Sequence, residues 1–207
     1  MPADTAAPIR TYSTSPRQYI MPNSSPAQVR LFYALWPDDA TRTALMELQF
    51  PMRGKKTPYS NLHITLAFLG PQPSERLSLL TDILEHLQAA PMTLTLDRVG
   101  YFPRKRIAWL GMHDAPQELL DMQRALVQAL IREEVWFDGE SNFKPHVTLA
   151  RDASLPPDLV FTPITWRAKQ IVLVQSITNP EGPTYRLIAS RTLADDATLS
   201  DVRKVVD

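Results

Sequence analysis

Two short runs carry the residues best suited to chemistry: His63-Ile64-Thr65-Leu66-Ala67 and His146-Val147-Thr148-Leu149-Ala150. Both spell histidine, aliphatic, threonine, leucine, alanine, and both are apolar and β-branched enough to form short buried strands. Side chains alternate faces along a strand, so His63 and Thr65 share one face while Ile64 and Leu66 take the other. His146 and Thr148 share a face in the same way. Strand propensity accounts for one such copy, its threonine present for β-branching alone. Two copies among only four histidines, in matching context, argue for a paired site.

Four uses of two imidazoles and two hydroxyls compete. A zinc or iron centre wants a third protein ligand, which neither run supplies, although a distant Asp or Glu could complete the set. A serine hydrolase is a second use, but no Gly-x-Ser-x-Gly elbow is present and a triad has no need of a second histidine. A non-catalytic cleft for RNA is the third. The fourth, acid–base catalysis on a phosphodiester, fits the duplication best. Displacement at phosphorus needs one group to take a proton from the attacking oxygen and another to protonate the leaving oxygen, on opposite sides of the phosphorus. An imidazole pKa of about 6.5 allows one neutral and one charged copy near neutrality. Each threonine hydroxyl can then donate to a non-bridging oxygen, where charge accumulates. That scheme calls for no metal.

The elements that must position these residues are legible in outline. Of the 207 residues, Met1 to Ala27 hold five prolines and little aliphatic periodicity, and read as a flexible extension without a secretory h-region. The folded part is expected over residues 28–193 as a single bilobal domain, with a charged tail over 194–207. A strand at Val29–Trp36 leads into a helix opened by Pro37-Asp38-Asp39. After the first histidine strand, Ser74 is a candidate N-cap for a helix through Leu87, with Leu77, Leu80, Leu84 and Leu87 as its stripe. Strands follow at Met92–Val99 and Arg106–Met112. A second long helix spans about Pro116–Glu133, with Leu119, Met122, Leu126 and Leu130 buried. Beyond the second histidine strand, Ile164–Ile177 and Thr184–Leu193 complete the set. Two helix-plus-sheet lobes, each holding one histidine strand, are the economical arrangement.

Composition excludes some classes of function. The formal net charge is zero, so any nucleic-acid site must be a local patch. The absence of cysteine removes disulfides, thiolate metal sites and a cysteine nucleophile, and fits a cytoplasmic protein. No apolar run approaches the roughly 20 residues of a membrane span. Two loops are candidate RNA contacts. Residues 51–60 are basic, with Lys55 and Lys56 able to reach a phosphate or to stand in solvent. Tyr101, Phe102, Arg104 and Arg106 interleave aromatic and basic side chains in a turn that can stack a base. Tyr33, on the first strand, is a further candidate. His86 and His113 lack a matching threonine and read as structural or surface residues.

The doubled His-x-Thr-Leu resembles the 2H phosphoesterase superfamily, and within it the LigT/ThpR-like RNA 2′,3′-cyclic phosphodiesterases, historically called 2′-5′ RNA ligases. Agreement extends to Arg30–Leu35, Asn61–Gly70, Phe102-Pro103 ahead of Ala108–Gly111, Phe143–Arg151 and Gly182–Tyr185. The resemblance implies an α+β fold of two pseudo-symmetric lobes, mainly antiparallel sheet with helices packed outside, around a central cleft. It also implies metal- and cofactor-independent hydrolysis of RNA 2′,3′-cyclic phosphate ends, or small cyclic nucleotides, to 2′-phosphates. Ligase or 2′-5′ phosphodiesterase activity in the same cleft, or RNA-end binding without catalysis, are the alternatives. His63 would then be the acid and His146 the base, with Thr65, Thr148 and Arg151 holding the phosphate; a monomer is expected. Family members often carry Arg or Lys with Pro-Glu before the first motif, where this chain has Lys56-Thr57-Pro58-Tyr59-Ser60.

Overall fold

β1 (Gln28–Leu35) is buried on both faces over its second half. A strand without a solvent face belongs in the interior of a layered sheet, and β1 lies between β3 (Ile64–Pro73) and β9 (Gln170–Asn179). The computed structural model describes residues 27–139, 143–180 and 182–193. The expected N-terminal extension, up to residue 26, and the expected tail, 194–207, lie outside the described residues.

The main sheet has eight strands in the order β10-β9-β1-β3-β7-β6-β5, with β2 (Lys55–Lys56) also paired to β7. Here β5 is Arg98–Phe102, β6 is Ile107–Gly111, β7 is His146–Arg151 and β10 is Gly182–Thr192. Every pairing is antiparallel. The two histidine strands meet in the middle through a single partner pair, Ile64 with Val147. Beyond it they part: β7 takes up Lys55 and Lys56 along its far half, while Phe68 of β3 bridges to Asp138. The sheet is therefore two half-sheets joined at one residue pair, and each half ends on a histidine strand.

Two long strands of the sequence reading divide in the structure. β4 (Met92–Leu96) pairs with β8 (Ile164–Ala168) in a separate two-stranded sheet, while their continuations, β5 and β9, enter the main one. The chain steps between sheets at Asp97 and Lys169. Both lie inside runs of strand-forming residues, so the step leaves no mark in composition.

Among the described residues, three α-helices pack against these sheets. In α1 (Asp39–Gln49) the Asp38 side chain accepts from the Thr41 N–H at 2.8 Å, the expected acidic start. In α2 (Leu77–His86), Ser74 is not the cap: it opens a 3₁₀ turn, Ser74–Arg76, and its N–H donates to the Ala27 carbonyl. α3 (Gln117–Arg132) buries the expected Leu119, Met122, Leu126 and Leu130. α2 rests on β9 and β10, α3 on β3, and α1 on β7 and β8. One continuous apolar core fills the space between helices and sheets. A smaller cluster of Phe32, Ala34, Val172 and Val174, flanked by Trp36, Phe68 and Tyr185, covers the opposite face of β1 and β9. Among the described residues no helix is long and apolar enough to cross a membrane.

Candidate active site

Each histidine is held by the backbone just before it. His63 Nδ1 lies 2.7 Å from the Asn61 carbonyl oxygen, and His146 Nδ1 lies 2.6 Å from that of Lys144. A carbonyl only accepts, so Nδ1 carries the hydrogen in both rings. Nε2 is then the nitrogen able to take up and give back a proton in each. Nε2 of His63 stands 3.0 Å from Thr65 Oγ1. The hydroxyl donates to it while the ring is neutral and accepts from it once the ring is charged.

The sheet register brings the two motifs together. The antiparallel pairing of Ile64 with Val147 brings His63 and Thr65, on either side of Ile64, up to His146 and Thr148, on either side of Val147. His63, Thr65, His146, Thr148 and Arg151 all line one cleft of about 690 Å³. Arg151 makes no ion pair among the described residues. Its charge acts on His63 and Tyr185.

The surroundings of the two rings differ. Phe32 stacks on His63 at 4.8 Å between centroids and Trp36 at 5.9 Å, while Tyr185 stands edge-on at 5.4 Å. His146 meets the edge of Phe102 at 5.2 Å and a tilted Trp109 ring at 5.9 Å. Burial pushes the His63 pKa down to about 4, against the pull of the Asn61 carbonyl, and the charges of Arg151, His146 and Arg42 push the same way as burial. The free protein therefore holds His63 neutral at pH 7.

The remaining candidates are sorted by the fold. Tyr33 is not an RNA contact: its exposure is 0% and its hydroxyl donates to the Leu80 carbonyl of α2 at 2.6 Å. Alternation along β1 turns Phe32, not Tyr33, to the cleft. The Tyr101 hydroxyl is bound to the Ala153 carbonyl at 2.8 Å, outside the cleft lining. Phe102 flanks His146. Arg104 is exposed in the β5–β6 turn, and Arg106 donates to the Asp152 carbonyl at 3.2 Å; neither lines the cleft, whereas Lys105 between them does. Lys55 and Lys56 line it too, Lys55 paired with Asp152 at 3.3 Å. Phe32 and Tyr185 are cleft residues that sequence reasoning does not single out. The signal available for Tyr185 is its place in Gly182-Pro183-Thr184-Tyr185. Among the described residues no three His, Asp or Glu side chains converge as a metal ligand set.

Comparison with known proteins identifies the family. A family model described as the 2′-5′ RNA ligase superfamily matches residues 37–179. The RNA 2′,3′-cyclic phosphodiesterase of Thermus thermophilus is 36% identical over 180 residues, 80% of this chain and 90% of its own length. That of Escherichia coli is 37% identical over 111 residues, 52% of this chain and 62% of its own. The crystal structure of E. coli LigT in apo form superposes with a TM-score of 0.71 at 27% identity, covering 81% of this chain and 99% of LigT. A family match over more than half the sequence, and a relative of this identity along most of it, establish that the chain belongs to the 2′-5′ RNA ligase superfamily of 2H phosphoesterases.

Proposed function

We propose that the protein hydrolyses 2′,3′-cyclic phosphate ends of RNA to 2′-phosphates, with His63 and His146 as the acid–base pair. The observation that carries this reading is the pair of imidazoles from neighbouring strands in one cleft, each with Nδ1 tied to a carbonyl and Nε2 able to move a proton. In the reaction, water attacks phosphorus opposite the 3′-oxygen. His146 Nε2 takes the proton of the attacking water as the new P–O bond forms. His63 Nε2–H gives a proton to the 3′-oxygen as the P–O3′ bond breaks, leaving the phosphate on the 2′-oxygen. Thr65, Thr148 and Arg151 stabilise the non-bridging oxygens, where negative charge builds. Because His63 is neutral in the free protein, it gains its proton when the anionic phosphate enters; a negative charge beside the ring favours the charged form. The relatives' names, RNA 2′,3′-cyclic phosphodiesterase, support this substrate class.

The test is turnover of an oligonucleotide ending in a 2′,3′-cyclic phosphate, with the product end mapped. His63→Ala and His146→Ala are each expected to lower kcat by about 10²–10⁴-fold while the affinity for the RNA end changes little. A 3′-phosphate product, or mutants that retain turnover and lose only affinity, would sink the proposal.

A further inference from the structure

Arg42 is buried, at 4% exposure, yet among the described residues its guanidinium meets no carboxylate at ion-pair distance. Its hydrogen bonds go to backbone carbonyls: Nε to Pro37 at 3.0 Å, and Nη1 to Tyr59 at 2.6 Å and Leu62 at 3.2 Å. Burying a cation is costly unless its donors are satisfied, and burial lowers this group's pKa from its usual range. A structure that keeps such a group on three carbonyls is using it to hold backbone.

The backbone it holds is the 3₁₀ turn Tyr59–Asn61 that delivers the chain into β3. The Tyr59 and Leu62 carbonyls lie on either side of Asn61, and the Asn61 carbonyl is the acceptor for His63 Nδ1. The far side of the turn is pinned by the Asn61 side chain, whose Nδ2 donates to the Pro183 carbonyl at 2.8 Å. A second route to His63 runs through the rings. The guanidinium lies 4.8 Å from the Trp36 ring and 5.6 Å from that of Tyr59, and Trp36 is stacked on His63. A planar fork serves both ends, donating along its edge and stacking on its face, which an ammonium does not.

We infer that Arg42 is a positioning residue, clamping the Tyr59–Leu62 turn so that His63 keeps one tautomer and one orientation, with Nε2 towards the cleft. It rests on the role of His63 proposed above. It adds a residue that touches no substrate and acts through the Asn61 carbonyl and the Trp36 ring. His146 takes its own carbonyl bond from Lys144 and its ring contacts from Phe102 and Trp109, away from the Arg42 clamp, and serves as an internal control.

The test is nitrogen-resolved NMR of the histidine rings together with steady-state kinetics on a cyclic-phosphate oligonucleotide, for wild type, Arg42→Met and Arg42→Lys. In wild type both rings should report the Nδ1–H tautomer. In R42M, His63 should become a mixture of tautomers while His146 is unchanged. The kcat should fall about 10- to 100-fold with KM within about twofold, the signature of a misplaced group and not of lost binding. R42K keeps the charge but not the fork, so it should show the same change in His63 and a smaller loss of kcat. A folded R42M with an unchanged His63 tautomer and unchanged kcat overturns the inference, and so does R42K matching wild type in both. Failure of both variants to fold assigns Arg42 to stability alone and overturns it as well. Should the wild type show no turnover, the proposed function falls, and the tautomer measurement still decides the role of Arg42.

Discussion

At the scale of single residues, two nearly identical motifs are made different by their neighbours. His63 sits among Phe32, Trp36 and Tyr185 and is pushed down to about pKa 4; His146 is held by the same kind of carbonyl bond beside Phe102 and Trp109. A depressed folded-state pKa has a thermodynamic signature. In the unfolded chain the imidazole gains a proton below about pH 6.5; in the folded one it does so only near pH 4. The stability linked to this residue is thus fully present above about 6.5 and is lost as the pH falls from there to 4. Compared with His63→Gln, wild type should lose on the order of 2–3 kcal/mol across that window. Thermal melts of the two proteins at matched pH will show it, and parallel curves would refute the neutral ring. Kinetics carry a related mark. As the proton donor, His63 governs the alkaline limb, so in kcat/KM, which reports the free enzyme, that limb should already be falling from about pH 4. The alkaline limb of kcat should lie higher, because bound phosphate favours the charged ring of His63. Both limbs belong to the pair and not to either ring alone.

At the scale of elements, the histidine strands, the three helices and the buried stripe of α3 are legible from periodicity and turn residues. Of the stripe read for α2, Leu77 is only half-buried and Leu87 lies past the helix end. What escapes is the facing of β1 and the path of two strands. β1 is apolar on both sides, so alternation carries no sign there, and two register shifts in its pairing with β3 move the parity again. Hence the sequence points to Tyr33 as a cleft residue and passes over Phe32. Tyr33→Phe should cost about 1 kcal/mol of stability through the lost bond to the Leu80 carbonyl and leave the KM for RNA ends unchanged; a raised KM would restore Tyr33 to the site. The split of β4 from β5 and of β8 from β9 is illegible for another reason, since strand-forming residues continue across Asp97 and Lys169 and only tertiary packing decides which sheet receives them. Arg42 is likewise invisible. In sequence it is one more polar residue on a surface helix, and its burial appears only once the turn before His63 is folded against it.

At the scale of the whole molecule, a formally neutral chain concentrates cations where the phosphate would lie. Among the described residues, Lys55, Lys56, Lys105 and Arg151 line the cleft against one acid, Asp152. Binding of an oligonucleotide end should weaken with added salt. With these four cations as the contacts, the slope of log affinity against log salt should be shallower than about −3; a steeper slope would mean that the RNA also runs over surfaces beyond the cleft. The single Ile64–Val147 pair between the half-sheets has a consequence for how such a protein tolerates change. Neither half owns the reacting centre, because each contributes one histidine and one threonine to a seam. Substitutions that alter the interior of one half are absorbed there so long as its last strand keeps its angle to the other. A slight rotation between the halves pivots on one residue pair and is felt directly as misaligned proton donors. Drift within either half is therefore tolerated, drift between them is not, and a fragment carrying one motif alone inherits half a site with nothing to act on.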